Sequence, residues 1–266
     1  MWLNHQLSAD FHKEYAIEEK TLDVRSDHIL EIFKSKKFGQ IALIDERELL
    51  LECHLGYVSE FIAHIGACCL RVKAPESPQD QALILGGFNL ELAFELLKHN
   101  MLIHYIQSDS KVLDSLISFL PHFQSVREHR DFGLYAKAID LPLGKYHLII
   151  HQATPNAHEL DGLSRMLHTD GVFIARLPHP YLQADECKQM LSSVSALFSI
   201  TMPFAMPFFG DEVFVFASKA THPLADLWLQ RADMLDNLSF YNADIHNAAF
   251  AMPTRLASTL QPWVKN

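Results

Sequence analysis

The sequence predicts an α/β protein with a Rossmann-like, doubly wound sheet and a small N-terminal antiparallel β domain. Three observations predict this fold class. Short β-prone runs, separated by polar or glycine-containing stretches, fill about the first 52 residues. From Gln81 onward, buried-strand patterns alternate with amphipathic-helix patterns. The first of these strands, ALILGG, is a continuous apolar run ending in two glycines, as expected for a central parallel strand that turns into a helix.

The N-terminal part divides into strands and one connecting helix. Predicted strands cover residues 21–24, 29–33, 38–44 and 49–52. Residues 55–70 carry apolar side chains at helical spacing, which predicts a helix. The segment KAPESPQD, residues 73–80, should break regular structure. We therefore expect an N-terminal β-strand domain at 1–54 and a Rossmann-like domain at 55–266.

The rest of the chain supplies the alternating elements. A stripe at Leu113, Leu116, Ile117 and Leu120 predicts a helix that Asp109 or Ser110 can cap. The other predicted elements are a helix after residue 90, strands LIHYIQ, YHLIIHQ and GVFIARL, helices near 160–167 and 185–197, and β-prone runs at 200–204 and 212–218. This order is that of Rossmann-like methyltransferase folds, with an antiparallel pair at the C-terminal edge. Ligands of such sheets bind at the carboxyl ends of the strands.

Composition excludes several classes of function. The formal net charge of −10 disfavours a nucleic-acid binder, which normally presents a basic face. The four cysteines have no CxxC spacing, and the sixteen histidines form no HExxH or HxH pair, so no metal site is expected. The polar N-terminus is unlike a signal peptide and no apolar run approaches a membrane span. We expect a cytoplasmic protein that binds neither nucleic acid nor membranes.

Candidate ligand contacts follow the predicted strands. Gly86 and Gly87 form a strand-to-helix turn, where glycine serves either a ligand or only steric needs. Gln107 ends the second strand, where it can face ribose hydroxyls or solvent. Lys137 and Ala138 close the third strand, beside an adenine ring or as a solvated strand end. A GxGxxG motif, a P-loop and a GxSxG elbow are all missing, so neither a dinucleotide, a triphosphate nor a serine nucleophile is indicated.

The segment FYNADIHNAAFAMP, residues 240–253, closely resembles the C-terminal signature of the polyamine aminopropyltransferases, the spermidine synthase family. The resemblance extends over almost the whole chain, through VRSDHILEIFKSKKFGQIALID, ALILGG and DGLSRMLHTDGVFIAR. It implies a divergent, short bacterial member that transfers an aminopropyl group from decarboxylated S-adenosylmethionine to putrescine. The products would be spermidine and methylthioadenosine. The adenosyl compound is then a co-substrate, no cofactor is needed, and a homodimer or homotetramer is expected.

The same resemblance assigns roles to individual residues. Gly86 and Gly87 would line the nucleoside pocket, Gln107 would face the ribose, and Lys137 with Ala138 would lie beside the adenine. His28 falls near a family glutamine that contacts the nucleoside product. Asn89 and Tyr241 would border the amine site, with Glu60 close to Tyr241.

Several acidic positions of the family are neutral or basic here. The GGGDG motif is Gly-Gly-Phe-Asn-Leu, the ribose-binding glutamate is Gln107, and the paired aspartates are Lys137 and Ala138. The DxxD-type loop that supplies the proton acceptor begins at Gln152. A general base contributes about 10²- to 10⁴-fold in rate, so its loss slows the reaction without abolishing it. Candidate substitutes are the carboxylates Glu60, Asp140, Glu159 and Asp161.

We expect a spermidine synthase with Gln152 at the position of the missing aspartate. A non-catalytic descendant that binds an adenosyl compound or a partner protein is the second hypothesis, because that aspartate is missing. An S-adenosylmethionine methyltransferase shares the core fold but does not explain FYNADIHNAAFAMP.

Overall fold

The computed structural model describes residues 1–8, 10–71, 77–141, 145–209 and 211–266. Residues 73–76 of the predicted break at 73–80 lie outside these ranges. The N-terminal part contains a hairpin of β1 (Trp2–Ser8) and β2 (Phe11–Ala16) and a four-stranded antiparallel meander. The meander consists of β3 (Glu19–Arg25), β4 (Ile29–Ser35), β5 (Gly39–Ile44) and β6 (Glu48–Leu51).

The hairpin was not among the predicted strands. Its inward positions alternate with outward ones, but one of them is the polar His5, which weakened the β-strand pattern. Leu3 and Tyr15 pack with Ile41 and Leu43 of the meander in a small separate core.

The large sheet has seven strands in the order β12-β13-β11-β10-β7-β8-β9. They are β7 (Gln81–Leu85), β8 (Leu102–Ile106), β9 (Phe132–Tyr135), β10 (Tyr146–His151), β11 (Leu167–Arg176), β12 (Ile200–Ala205) and β13 (Val213–Ser218). β13 pairs antiparallel with both β11 and β12, whereas the pairs among β7 to β11 are parallel. The predicted fold class, including the antiparallel pair at the C-terminal edge, is confirmed.

Helices cover both faces of this sheet. They are α1 (Glu52–Ala67), α2 (Glu91–Leu97), α3 (Ser110–Ser115), α4 (Phe123–Arg127), α5 (Ala157–Met166), α6 (Ala184–Leu197), α7 (Leu229–Asp233), α8 (Ala243–Ala249) and α9 (Thr254–Leu260). Neighbouring residues of β7 pack into different cores on the two faces of the sheet. Leu83 belongs to the same core as Leu160 and Leu191. Ile84 belongs to the core that contains residues of α1 and α2. Burial on both faces explains the continuous apolar strand sequences.

Two helix predictions need correction. The connecting helix is α1, which begins at Glu52 rather than residue 55 and ends at Ala67. The predicted stripe through Leu120 is interrupted, because α3 ends at Ser115 and Ile117 is 50% exposed. Asp109 is the N-cap of α3, and its carboxylate accepts a hydrogen bond from the Val112 amide. Within the described part of the chain, no helix is long and apolar enough to cross a membrane.

Candidate active site

A cavity of about 1000 Å³ lies between the N-terminal strands and the carboxyl ends of β7, β10 and β11. The hairpin β1–β2, strand β6 and the first half of α1 contribute one wall. The opposite wall comes from the turn after β7, the loop after β10 and the segment after β11. This is the edge of a parallel sheet at which ligands are expected to bind.

The turn after β7 brings the backbone close to the loop after β10. Gly86 has a φ of +78°, and a Cβ atom there would lie 2.4 Å from the His151 ring. A Cβ atom on Gly87 would lie 2.7 Å from Cβ of Gln152. Neither position has room for a larger residue, so steric needs alone are sufficient to explain the two glycines. Gly86 also lines the cavity, as the ligand explanation requires.

Gln152 and Asn89 brace this turn and line the cavity. Oε1 of Gln152 accepts a hydrogen bond from the Asn89 amide at 2.9 Å, and Nε2 donates to the Tyr105 hydroxyl at 2.8 Å. The Asn89 side chain donates to Oγ of Ser59 in α1 at 2.9 Å. Both ends of the Gln152 amide are thus engaged, and an amide does not take up a proton near neutral pH. Gln152 has a structural role at the position of the missing aspartate.

Glu48 is a cavity-lining carboxylate that the sequence analysis missed. It is the first residue of β6, and its Oε1 accepts a hydrogen bond from the Phe88 amide at 3.2 Å. Burial raises its pKa to about 7, although the Phe88 amide, Arg176 and His28 act in the opposite direction. A carboxyl group with this pKa can exchange a proton at neutral pH.

Two ion pairs lie in the cavity lining. Arg176, at the end of β11, pairs with Glu212 at 2.9 Å, and its guanidinium lies 5.4 Å from the centre of the Phe214 ring. Lys13 of the hairpin pairs with Asp211. Glu48 belongs to neither pair, and no described residue forms an ion pair with its carboxylate.

Gln107 and His28 belong to a second network beside the same turn. Nε2 of Gln107 donates to the Gly87 carbonyl at 3.2 Å, and its Oε1 accepts from the Asp109 amide at 3.0 Å. The Asp109 carboxylate accepts from the His28 amide at 3.0 Å. The His28 ring packs edge-on against Phe88 at 5.2 Å. Although neither Gln107 nor His28 lines the cavity, both lie next to its glycine turn.

Lys137 and Ala138 lie on an exposed turn after β9 and do not line the cavity. Lys137 precedes a short 3₁₀ turn at Ala138–Asp140. The predicted third strand is β9, which ends at Tyr135, so the two residues follow the outermost strand rather than closing it. Gln107 likewise follows the neighbouring strand β8, which ends at Ile106.

The expected neighbours Glu60 and Tyr241 do meet, but outside the cavity lining. The Glu60 carboxylate accepts hydrogen bonds from the amides of Ser239, Phe240 and Tyr241 at 2.8 to 3.1 Å. Tyr241 is 3% exposed, and its hydroxyl lies 2.8 Å from Nδ1 of His246. Glu60 therefore anchors the FYNADIHNAAFAMP segment to α1, and Tyr241 contributes to the core.

The four carboxylates considered as substitutes for the aspartate do not line the cavity. Glu60 is engaged by backbone amides, and Glu159 accepts from the Asn156 amide in a capping box at the start of α5. Asp161 pairs with Arg165 one helical turn later, and Asp140 is exposed. The cavity instead contains Glu48, which sequence patterns did not single out. Among the described residues, no group of three histidine, cysteine, aspartate or glutamate side chains could hold a metal ion.

Comparisons with known proteins show which family the chain resembles. Residues 56–228 match the model of the spermine/spermidine synthase domain, and residues 1–47 match the spermidine synthase tetramerisation domain. A polyamine aminopropyltransferase of Helicobacter acinonychis (strain Sheeba) is 42% identical over 100% of both chains. One from Helicobacter pylori (strain ATCC 700392 / 26695) is 41% identical over the same full length. The fold is also that of spermidine synthase from Thermotoga maritima, with a TM-score of 0.85, 20% identity, and 98% and 94% of the two chains covered.

Proposed function

The chain belongs to the spermine/spermidine synthase family, and on this premise we propose that it is an aminopropyltransferase that makes spermidine. The family resemblance of the sequence is confirmed. The proposed substrates are decarboxylated S-adenosylmethionine and putrescine, and the products are spermidine and methylthioadenosine. The observation that carries the proposal is the cavity at the carboxyl ends of β7 and β10, in whose lining Glu48 is held by the Phe88 amide and forms no ion pair with a described residue.

The reaction is a substitution at carbon. A neutral amine of putrescine attacks the methylene carbon next to the sulfonium, a C–N bond forms, and the C–S bond breaks with its electron pair going to sulfur. That amine becomes neutral only when an ammonium group of putrescine gives up one proton. The departing thioether needs no acid, so the protein must position the two substrates and accept that proton.

We assign the nucleoside to the carboxyl ends of β7, β8 and β9. Gly86 and Gly87 would allow the nucleoside to approach the backbone of the turn closely. Gln107 lies beside them, because its Nε2 donates a hydrogen bond to the Gly87 carbonyl. Lys137 and Ala138 would contact the adenine from the exposed turn after β9. His28 would contact the nucleoside from the β3–β4 turn.

We assign the amine to the part of the cavity lined by Glu48, Asn89 and Gln152. A putrescine cation is attracted by a carboxylate whose charge no neighbouring cation neutralises. The signature residues Glu60 and Tyr241 would act on the amine site indirectly, through the contact by which Glu60 holds the backbone of residues 239–241 against α1.

The adenosyl compound acts as a co-substrate, and the proposal requires no bound cofactor. Residues 1–47 match a tetramerisation domain, which supports a homo-oligomer, either a dimer or a tetramer. A cytoplasmic location remains a prediction from the sequence.

The second candidate function is a non-catalytic binder of adenosyl compounds. It is favoured by the neutral side chains at Gln107 and Gln152, both of which are engaged in internal hydrogen bonds. This candidate predicts binding of methylthioadenosine without turnover.

The test uses the purified protein with decarboxylated S-adenosylmethionine and putrescine, and follows spermidine and methylthioadenosine by mass spectrometry. We expect both products in equal amounts, dependent on enzyme. Replacing the co-substrate by S-adenosylmethionine controls for methyl transfer. Binding of methylthioadenosine without either product, for putrescine and other diamines alike, would support the non-catalytic candidate instead.

A further inference from the structure

Glu48 reaches the glycine turn from the N-terminal meander. Its Oε1 is fixed by the Phe88 amide at 3.2 Å, while Oε2 accepts no hydrogen bond from the described residues. The carboxylate thus has a fixed orientation and one oxygen available to a ligand. A general base must be held in a fixed position relative to the substrate, and this hydrogen bond holds Glu48 in that way.

The charged groups around Glu48 come from several elements. Arg176 of β11 and His28 of the β3–β4 turn lower its pKa, and Asp45 of the β5–β6 turn raises it. Arg176 is itself paired with Glu212, and Nδ1 of His28 lies 2.6 Å from Asp45. Burial outweighs these contributions and favours the neutral carboxyl group. Arg176 therefore has an anionic partner other than Glu48, whereas Arg47, which also lines the cavity, is exposed to solvent.

The other cavity-lining carboxylates are less suited to accept a proton from a substrate. Asp211 and Glu212 are in ion pairs with Lys13 and Arg176, and Glu14 is exposed on the hairpin. Gln152, at the position of the family aspartate, is an amide with both ends engaged. Glu48 accepts a hydrogen bond from the Phe88 amide, and Gln152 accepts one from the next amide in the chain, that of Asn89.

We propose that Glu48 is the proton acceptor for the attacking amine, an inference that rests on the proposed function. Ionised Glu48 holds the diamine by hydrogen bonding to the ammonium group that will react, and Oε2 takes one proton from it. The neutral nitrogen then attacks, the C–N bond forms as the C–S bond breaks, and the product leaves as a secondary ammonium. Glu48 then releases the proton to water, which completes the balance of one proton per spermidine.

The experiment compares wild type, Glu48→Gln and Glu46→Gln in single-turnover assays with decarboxylated S-adenosylmethionine and putrescine across pH. Glutamine keeps an oxygen for the Phe88 amide but accepts no proton. We expect the Glu48→Gln rate at pH 8 to fall about 10²- to 10⁴-fold. Methylthioadenosine affinity should stay within about threefold, because the lost group handles the amine's proton. Glu46→Gln removes an exposed carboxylate two residues away and should match wild type.

The wild-type pH profile gives an independent test if Glu48→Gln folds poorly. The rate should rise about tenfold per pH unit below pH 7 and level off above it. A Glu48→Gln rate within threefold of wild type, or a wild-type profile without this inflection, would overturn the assignment of Glu48 while leaving the aminopropyltransferase function intact. Absence of product from wild type would overturn the proposed function, and the assignment with it.

Discussion

Glu48 and Gln152 accept hydrogen bonds from consecutive amides of one turn, Phe88 at 3.2 Å and Asn89 at 2.9 Å. One side chain comes from the N-terminal meander and the other from the loop after β10, yet both end at the turn after β7. Consecutive peptide nitrogens are less than about 4 Å apart, so the carboxylate lies close to the position where the family has its aspartate. This proximity is the basis for proposing that Glu48, from the N-terminal meander, replaces the missing acidic function.

The raised pKa of Glu48 predicts a change in stability with pH. Its folded-state pKa is about 7, compared with 4.5 for an ordinary glutamate. Between these values the folded protein binds more protons than the unfolded chain, so this group's contribution to the free energy of unfolding falls as pH rises from 4.5 to 7. We expect the free energy of unfolding of Glu48→Gln, measured relative to that of wild type, to increase by up to about 3 kcal/mol as the pH rises from 4 to 8. The increase is smaller if solvent reaches the Glu48 side chain.

Chemical denaturation at several pH values measures this difference. The Glu46→Gln variant is the control, because Glu46 is exposed. A constant stability difference between Glu48→Gln and wild type across pH would contradict the burial of the charge.

Gly86→Ala should damage the turn. The residue has a φ of +78°, and the added Cβ would lie 2.4 Å from the His151 ring. We expect a loss of at least about 2 kcal/mol in unfolding free energy and weaker methylthioadenosine binding, because the turn must shift. Gly162→Ala is the matched control: it lies within α5 with open space around it and should stabilise by about 0.5 to 1 kcal/mol. Thermal unfolding with titration calorimetry distinguishes these outcomes, and equal stability of the two variants would refute the strain argument.

The succession of strands and helices along the chain and the glycine turn could be predicted because they depend on local patterns. A continuous apolar strand ending in Gly86 and Gly87 identifies a central parallel strand without any knowledge of its partners. The capping of α3 by Asp109 was equally local.

Glu48 could not be predicted because its environment comes from distant segments. It begins a short strand, and only the packing of the meander against the turn after β7 turns its carboxylate into the cavity. Tyr241 shows the opposite problem. It belongs to the most specific motif, but its hydroxyl is engaged by His246 in the core, a contact that spacing alone does not reveal.

Tyr241→Phe tests the buried position of Tyr241. The substitution removes the hydroxyl beside Nδ1 of His246, whose pKa burial lowers to about 4. We expect a loss of about 1 to 2 kcal/mol in unfolding free energy with an unchanged KM for putrescine. Tyr181→Phe is a control, because Tyr181 is 60% exposed and should change neither quantity. An increase in the KM for putrescine without loss of stability would show that Tyr241 borders the amine after all.

Gln152→Glu should move the pH dependence of the reaction. A glutamate can still accept from the Asn89 amide, and the Tyr105 hydroxyl can turn from the Gly87 carbonyl to donate to it, because Gln107 also donates to that carbonyl. The new carboxylate would share the turn with Glu48, and like charges disfavour ionisation. The inflection of the single-turnover rate should therefore shift above its wild-type pH, whereas Gln183→Glu, which lines the cavity from the start of α6 and has no contact with the glycine turn among those described, should shift it less. An inflection that stays in place would mean that Glu48 and residue 152 are not coupled, and that the proton leaves by another route.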